Sequence, residues 1–361
     1  MGGGSGQPLR QRTLLTSRVW MFAALPILAI GGFFVYLAVR VTKPSSSLHD
    51  ALLRNNYREV RNHILTGTPI NALTCAGHTP LYTAISNRND QITELLLEHG
   101  ARADVDPKGK GSPLILASEH GDAKLVAKLL ALGGDPNDTE GACSSVLHSA
   151  VDSNNAEVVH LLLEHGANPK CRLKANGDSA LFNAATSGNA QIAADLLAHG
   201  ADFNVRGVRG RTPLHAAAAT KHFEVLQVLV KAGAQTDLPD ENGVLPIASS
   251  LFMGDERSSW LLLEHYHRHQ AQDFRKANML HYAVMGGATP MLIRSLIATG
   301  CKLEQKDERG DTPLSLALKL QKTSEADALE AAGAKVPTWQ IPTLTEKQRK
   351  DLYGGDVNLV R

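Results

Sequence analysis

The side chains most able to do chemistry in this chain are its 15 histidines and four cysteines. His265, His267 and His269 form an alternating run that, on extended backbone, would set three imidazoles on one face. Zinc accepts such ligands, but a closed site needs a fourth ligand and outer partners that orient the rings. Cys75, Cys143, Cys171 and Cys301 lie 68, 28 and 130 residues apart and contain no C-x-x-C. That spacing fits neither a disulfide framework nor a zinc ribbon. No nucleophile elbow, phosphate loop or paired-carboxylate pattern accompanies them. The expectation is therefore of no catalytic residue, no metal and no cofactor. A metal-dependent enzyme using residues 265–269 is kept as the alternative of another class.

Most of the histidines keep step with something larger. His49, His148, His215 and His281 each follow a leucine, and that leucine belongs to a series: Leu48, Leu81, Leu114, Leu147, Leu181, Leu214, Ile247, Leu280, Leu314. The intervals are 33 or 34 residues throughout. A second series has the same period: Gly67, Gly100, Gly133, Gly166, Gly200, Gly233, Tyr266, Gly300, Gly333. His99, His165, His199 and His265 stand one residue before its members. Two independent markers with one period across nine units identify an internal repeat. The eight histidines are then framework residues whose imidazoles bond nearby backbone.

The residues of one unit explain the markers. Thr79-Pro80, Ser112-Pro113, Thr212-Pro213 and Thr312-Pro313 open a first helix, with a hydroxyl to cap free N–H groups and a proline where no N–H is needed. That helix ends at a residue able to turn left-handed: Gly121, Gly188, Gly254, Gly287, Asn55 or Asn154. A second helix follows, with its apolar run late, as at 92–97 and 158–163, and stops at the second marker. An extended hairpin leads to the next unit. No unit of this kind buries its own face, so neighbours must stack.

These residues resemble the ankyrin-repeat family. The carriers are Gly210-Arg211-Thr212-Pro213-Leu214-His215-Ala216-Ala217 and Leu95-Leu96-Leu97-Glu98-His99-Gly100-Ala101. The resemblance covers residues 43–336. It implies an all-α solenoid of about nine helix–turn–helix units with β-hairpin loops, and binding of a folded protein partner on the concave face.

Outside the repeats, residues 19–39 carry no charge and are bounded by Arg18 and Arg40, with Trp20 and Tyr36 near the limits. About 20 apolar residues suffice for a membrane-spanning helix, and amphipathic rings favour the interface. The reading is a single-pass transmembrane helix after an N-terminal tail of residues 1–18, with a C-terminal tail at 337–361. Residues 19–39 hold no pair of small residues four apart, so the anchor is expected to be monomeric. Arg10, Arg12 and Arg18 tip the N-terminus inside, placing the repeats on the non-cytoplasmic side (the periplasm in a bacterium). Lys plus Arg number 37 against 36 Asp plus Glu, so no global basic field draws nucleic acid. No small-molecule substrate is expected.

Reading the exposed offsets along the repeat locates the partner surface. Five and six residues after the anchor leucine stand Ser86 and Asn87, Asp152 and Ser153, Thr186 and Ser187, Ala219 and Thr220. The seventh and eighth units depart, giving Phe252 and Met253, then Met285, with Phe274 and Arg275 at the adjoining hairpin tip. Tyr266 and His267 replace the usual glycine loop there. Phe, Met, Tyr and Arg together are what interface cores are enriched in. The expected partner-binding residues are thus Phe252, Met253, Tyr266, His267, Phe274, Arg275 and Met285. The reading is a membrane-anchored interaction module; the alternative is an inhibitor or immunity protein neutralising a toxin in the cell envelope.

Overall fold

The computed structural model describes residues 21–30, 33–41, 47–73, 77–104, 112–140, 144–173, 177–266, 273 and 275–337. Among them, eighteen helices fall into nine pairs at the spacing of the repeat. Two compact units divide the chain: residues 1–116 with 132–134, and residues 117–131 with 135–361.

The first unit contains the pairs α1 (Leu48–Leu53) with α2 (Tyr57–Leu65) and α3 (Pro80–Ser86) with α4 (Asp90–Glu98). It also contains two antiparallel strands, β1 (Met21–Ile30) and β2 (Phe33–Val41), paired from Met21 with Val41 to Ile30 with Phe33. The single helix expected across 19–39 is therefore corrected. Pro26 lacks the N–H that a helix interior needs, and Gly31-Gly32 is a strong two-residue hairpin signal between runs rich in Phe, Val and Ile. Among the described residues no helix is long and apolar enough to cross a membrane.

Helix α5 (Pro113–Glu119) is divided between the units. The second unit then holds α6 (Ala123–Ala131), α7 (Val146–Asp152) with α8 (Ala156–Glu164), α9 (Ala180–Ser187) with α10 (Ala190–Ala198), and α11 (Pro213–Thr220) with α12 (Phe223–Lys231). It ends with α13 (Pro246–Phe252) and α14 (Glu256–Glu264), α15 (Met279–Gly286) and α16 (Pro290–Ala298), and α17 (Pro313–Lys319) and α18 (Thr323–Ala331). Within the unit, first helices pack on first helices and second on second.

The local reasons are repeated from pair to pair. Thr79, Ser179 and Thr312 accept the N–H three residues on, closing the exposed start of the first helix. Asn89, Asn155, Asn189 and Asp255 do the same for the second. At the second marker the glycines turn left-handed, with φ between 75° and 94°. The next N–H then reaches back to the last turn, as Ala167 N–H does to Leu162 O at 2.9 Å. Asparagines bind one unit to the next: Asn71 Oδ1 accepts from Arg102 N–H, and Asn137 Oδ1 from Asn168 N–H.

The expected hairpins are mostly compact turns rather than strands. Among the described residues of the repeats, β3 (Thr139–Glu140) and β4 (Ser144–Ser145) pair as a short ladder. Elsewhere backbone bonds across the base close the described turns, as from Asp240 N–H to Val244 O and from Asp307 N–H to Asp311 O.

The anchor side chains form the core; Leu147, Leu181, Leu214, Ile247, Leu280 and Leu314 are all buried. Leu181→Ala should cost about 2–5 kcal/mol, because the site sits between rigid neighbours that cannot collapse into the cavity. A urea denaturation series on the variant checks this, and an unchanged midpoint would show that the anchor lies elsewhere.

Candidate functional site

Among the described residues, the large apolar side chains left at the exposed first-helix offsets of the second unit concentrate at its C-terminal end. Phe252 closes α13 and is 52% exposed, Met253 follows it at 38%, and Leu320, just after α17, is 46% exposed. Met285, in the last turn of α15, is half-buried. At the same offsets earlier in the unit stand Asp152, Thr186 and Thr220, all exposed and polar.

Two glycines bring α13 and α15 together beneath this patch. A Cβ at Gly286 would collide with the Leu251 carbonyl oxygen, and one at Gly254 with the carbonyl oxygen of Gly286. The close approach sets the Phe252 ring edge-on to Tyr282, with centroids 6.4 Å apart and planes at 84°. Such an aromatic pair is held by its ring quadrupoles as well as by burial. Tyr282 Oη–H donates to Asp273 Oδ2 at 2.5 Å, while Asp273 Oδ1 accepts Ala277 N–H at 2.8 Å. Burial, and then the Asp273 hydrogen bond, raise the Tyr282 pKa. Two residues from Asp273, Arg275 is exposed and faces Glu308 at 3.7 Å. The apolar patch and the charged hairpin tip are thus joined through one tyrosine.

Phe252, Met253, Met285 and Arg275 accordingly lie on elements that pack together. Tyr266 does not join their exposed surface. Expected in the patch, it is 5% exposed and belongs to the core. Its ring is too apolar to remain in solvent once the glycine that would end the helix is absent, and it adopts no left-handed φ. His267 and Phe274 lie outside the described residues. Tyr282 and Leu320 complete the patch. The offset rule reaches Leu320 when extended to the ninth unit, whereas nothing in the repeat pattern singles out Tyr282.

Among the described residues the histidines at the repeat positions serve the framework. His99, His165, His199 and His265 each direct Nδ1 at the carbonyl four residues earlier, at 2.8–3.0 Å. His215 accepts Thr212 N–H at Nδ1 and donates Nε2–H to Val244 O at 3.0 Å; His281 does the same with Asn278 and Asp311. Carbonyl oxygens only accept, so these bonds fix the neutral tautomer. Of the 265–269 run only His265 is described, and it is exposed. Among the described residues no group of three His, Cys, Asp or Glu is arranged to hold a metal.

Burial pulls the His215 pKa down to about 4, against an ordinary value of 6.5. Between those values the unfolded chain binds more protons than the folded one. Stability must then fall as pH drops through that window, by at most about 1.4 kcal/mol per pH unit from this residue. Burial lowers His148 and His281 in the same direction. Urea midpoints at about pH 7.5 and about pH 5 should differ accordingly, and His215→Gln should reduce the difference.

Comparison with known proteins follows the geometry. Residues 48–140 and 147–240 each match a family model described as ankyrin repeats in three copies. The chain is 28% identical over 246 residues to the B-cell lymphoma 3 protein homolog of Mus musculus, covering 67% of this chain and 48% of that protein. It is 34% identical over 103 residues to ankyrin repeat and SOCS box protein 11 of Homo sapiens, covering 28% and 31%. Over 233 residues it is 29% identical to glycerophosphocholine phosphodiesterase gde1 of Schizosaccharomyces pombe, covering 61% and 18%. The chain spans less than half the length of each of these relatives.

Proposed function

This chain belongs to the ankyrin-repeat family, whose repeats form protein–protein interaction modules, and we propose that it binds a folded protein on the first-helix and hairpin-tip side of its second unit. The observation that carries this reading is that Phe252, Met253 and Leu320 are exposed where earlier repeats of the second unit present Asp, Thr or Ser. Large apolar side chains exposed at successive positions of one face mark an interaction site. The framework beneath it is complete without a partner: Tyr282 supports Phe252 from below, and Gly286 seats α15 on α13. The exposed side chains therefore lie beyond what the fold needs. The role is binding, not catalysis.

A photo-crosslinking amino acid at position 252 or 253 should capture the partner in cells, and the same group at Gln191, on the exposed side of α10, should not. Phe252→Ala should lower partner affinity by more than about 1 kcal/mol while leaving thermal stability nearly unchanged. Collapse of stability with binding retained in the folded fraction would assign Phe252 to packing instead.

In the same reading the uncharged residues 19–39 fasten the module to a membrane without a single spanning helix. The support is the uncharged run between Arg18 and Arg40, with Trp20 and Tyr36 near its limits. The full chain should sediment with membranes and resist extraction by carbonate, and a chain lacking residues 19–39 should remain in the supernatant. Equal partitioning of the two would remove the membrane from the reading.

A further inference from the structure

The hairpin tips of the second unit sort their charges by depth. Asp178, Asp240, Asp273 and Asp311 are all buried, each held by donors of its own or a neighbouring turn. Asp178 Oδ1 accepts Val208 N–H at 3.0 Å, and Asp240 Oδ1 accepts the N–H groups of Asn242 and Val244 at 2.8 and 3.0 Å. Asp273 takes Ala277 N–H and the Tyr282 hydroxyl, and Asp311 Oδ1 takes the Ser315 hydroxyl and Lys319 Nζ. Arg206, Arg209, Arg275, Lys276 and Arg309 of the same turns are exposed. Facing them in solvent at the tips from 206 to 311 are the acids Glu241 and Glu308, with Asp307 half-buried. The turns therefore bury carboxylates as structural acceptors and present an excess of cations.

Arg209, Arg275 and Arg309 stand at the tips of the sixth, eighth and ninth repeats, with Glu241 at the seventh between the first two. Glu241 N–H donates to Arg209 O at 3.0 Å, and Glu308 N–H to Arg275 O at 2.7 Å, so adjacent tips are bonded through their backbones. The Arg275 guanidinium faces Glu308 at 3.7 Å, with both side chains about half exposed. An ion pair in that setting holds its partners weakly, and an incoming carboxylate competes for the arginine.

We propose that the segment of the partner docking here is an acidic stretch carrying apolar side chains. Its carboxylates meet Arg209, Arg275, Lys276 and Arg309, and its apolar groups cover Phe252, Met253, Met285 and Leu320. This rests on the reading of the first-helix patch as the partner surface. Neighbouring repeats stack at about the diameter of a helix, about 10 Å. An extended strand rises about 3.3 Å per residue, so an extended segment crossing the tips would carry acids about three or about six residues apart.

The test is a random peptide library, about twelve residues long to span three tips, displayed on phage and panned against the full chain. Selected peptides should be net acidic with apolar residues between the acids. Their affinity should fall about tenfold or more when ionic strength is raised from about 0.05 to about 0.5 M. Arg209→Glu combined with Arg309→Glu should weaken them by a similar factor with the melting temperature unchanged, and Phe252→Ala should weaken them independently. Selected peptides that are neutral or basic yet still need Phe252 would overturn the acidic assignment and leave the patch standing. Acidic peptides indifferent to Phe252→Ala would overturn both the proposal and the patch on which it rests. A library that yields no binder would overturn the proposal of a linear acidic segment.

Discussion

Every α-helix described in the repeats is between six and nine residues long, and a helix that short does not persist in water on its own. What holds each first helix is the anchor side chain at its start, buried against its neighbours, and the second helix packs on the first. From Leu147 to Leu314 those anchors are essentially inaccessible to solvent. The remaining regularities follow from that dependence. Hydroxyls and prolines must begin each helix at a fixed distance from the anchor, because a slip of one residue would swing the leucine off the seam. The marker glycines must end the second helix sharply, because a helix continued by one turn would overrun the next unit's hairpin. His215 and His281 complete the arrangement by bonding the backbone of one unit to that of the next.

This dependence also explains which features could be read from residues alone. Anchor leucines, capping threonines and marker glycines are demanded by backbone geometry, which repeats, so their types repeat too. The left-handed turn between paired helices was foreseeable where Gly or Asn stands. At Arg88, Lys221 and Gln321 the backbone turns left-handed without such a residue. There the stacked neighbours impose the conformation at a cost of about 1 kcal/mol or more, which no local sequence preference announces. The 19–39 segment shows the opposite failure. An uncharged length satisfies the requirement for a span, yet Pro26 and the Gly31-Gly32 pair act against a helix, and the structure pairs the two halves as strands.

The candidate site was legible in part, for a related reason. Exposed offsets on the first helix bear no packing duty, so their identity varies freely, and Phe252, Met253 and Leu320 stand out against Asp, Thr and Ser. Tyr266 broke the same periodicity without being exposed. Departure from a repeat marks a place where the framework rule is relaxed, but either a partner or a local repacking can fill the vacancy. Burial separates the two, and burial depends on side chains from adjoining units that share no sequence proximity. Tyr282 was invisible for the converse reason: its offset carries no rule, and its importance comes from lying between Phe252 and Asp273.

That position gives Tyr282 a consequence for recognition. A flexible phenylalanine on a helix end would lose rotamer freedom when covered by a partner, and this loss opposes binding. Here the ring is already stood edge-on against a tyrosine whose own hydroxyl is held by Asp273. Asp273 is in turn held by the Ala277 amide at the base of the tip that bears Arg275. Asp273 therefore braces both the ring, through Tyr282, and the backbone of the tip, while the Arg275 side chain itself stays exposed beside Glu308. On the proposed reading a partner would cover Phe252 without first ordering the ring, and would order the arginine only as it paired with it. The aspartate serves both elements as a structural acceptor, and it is buried.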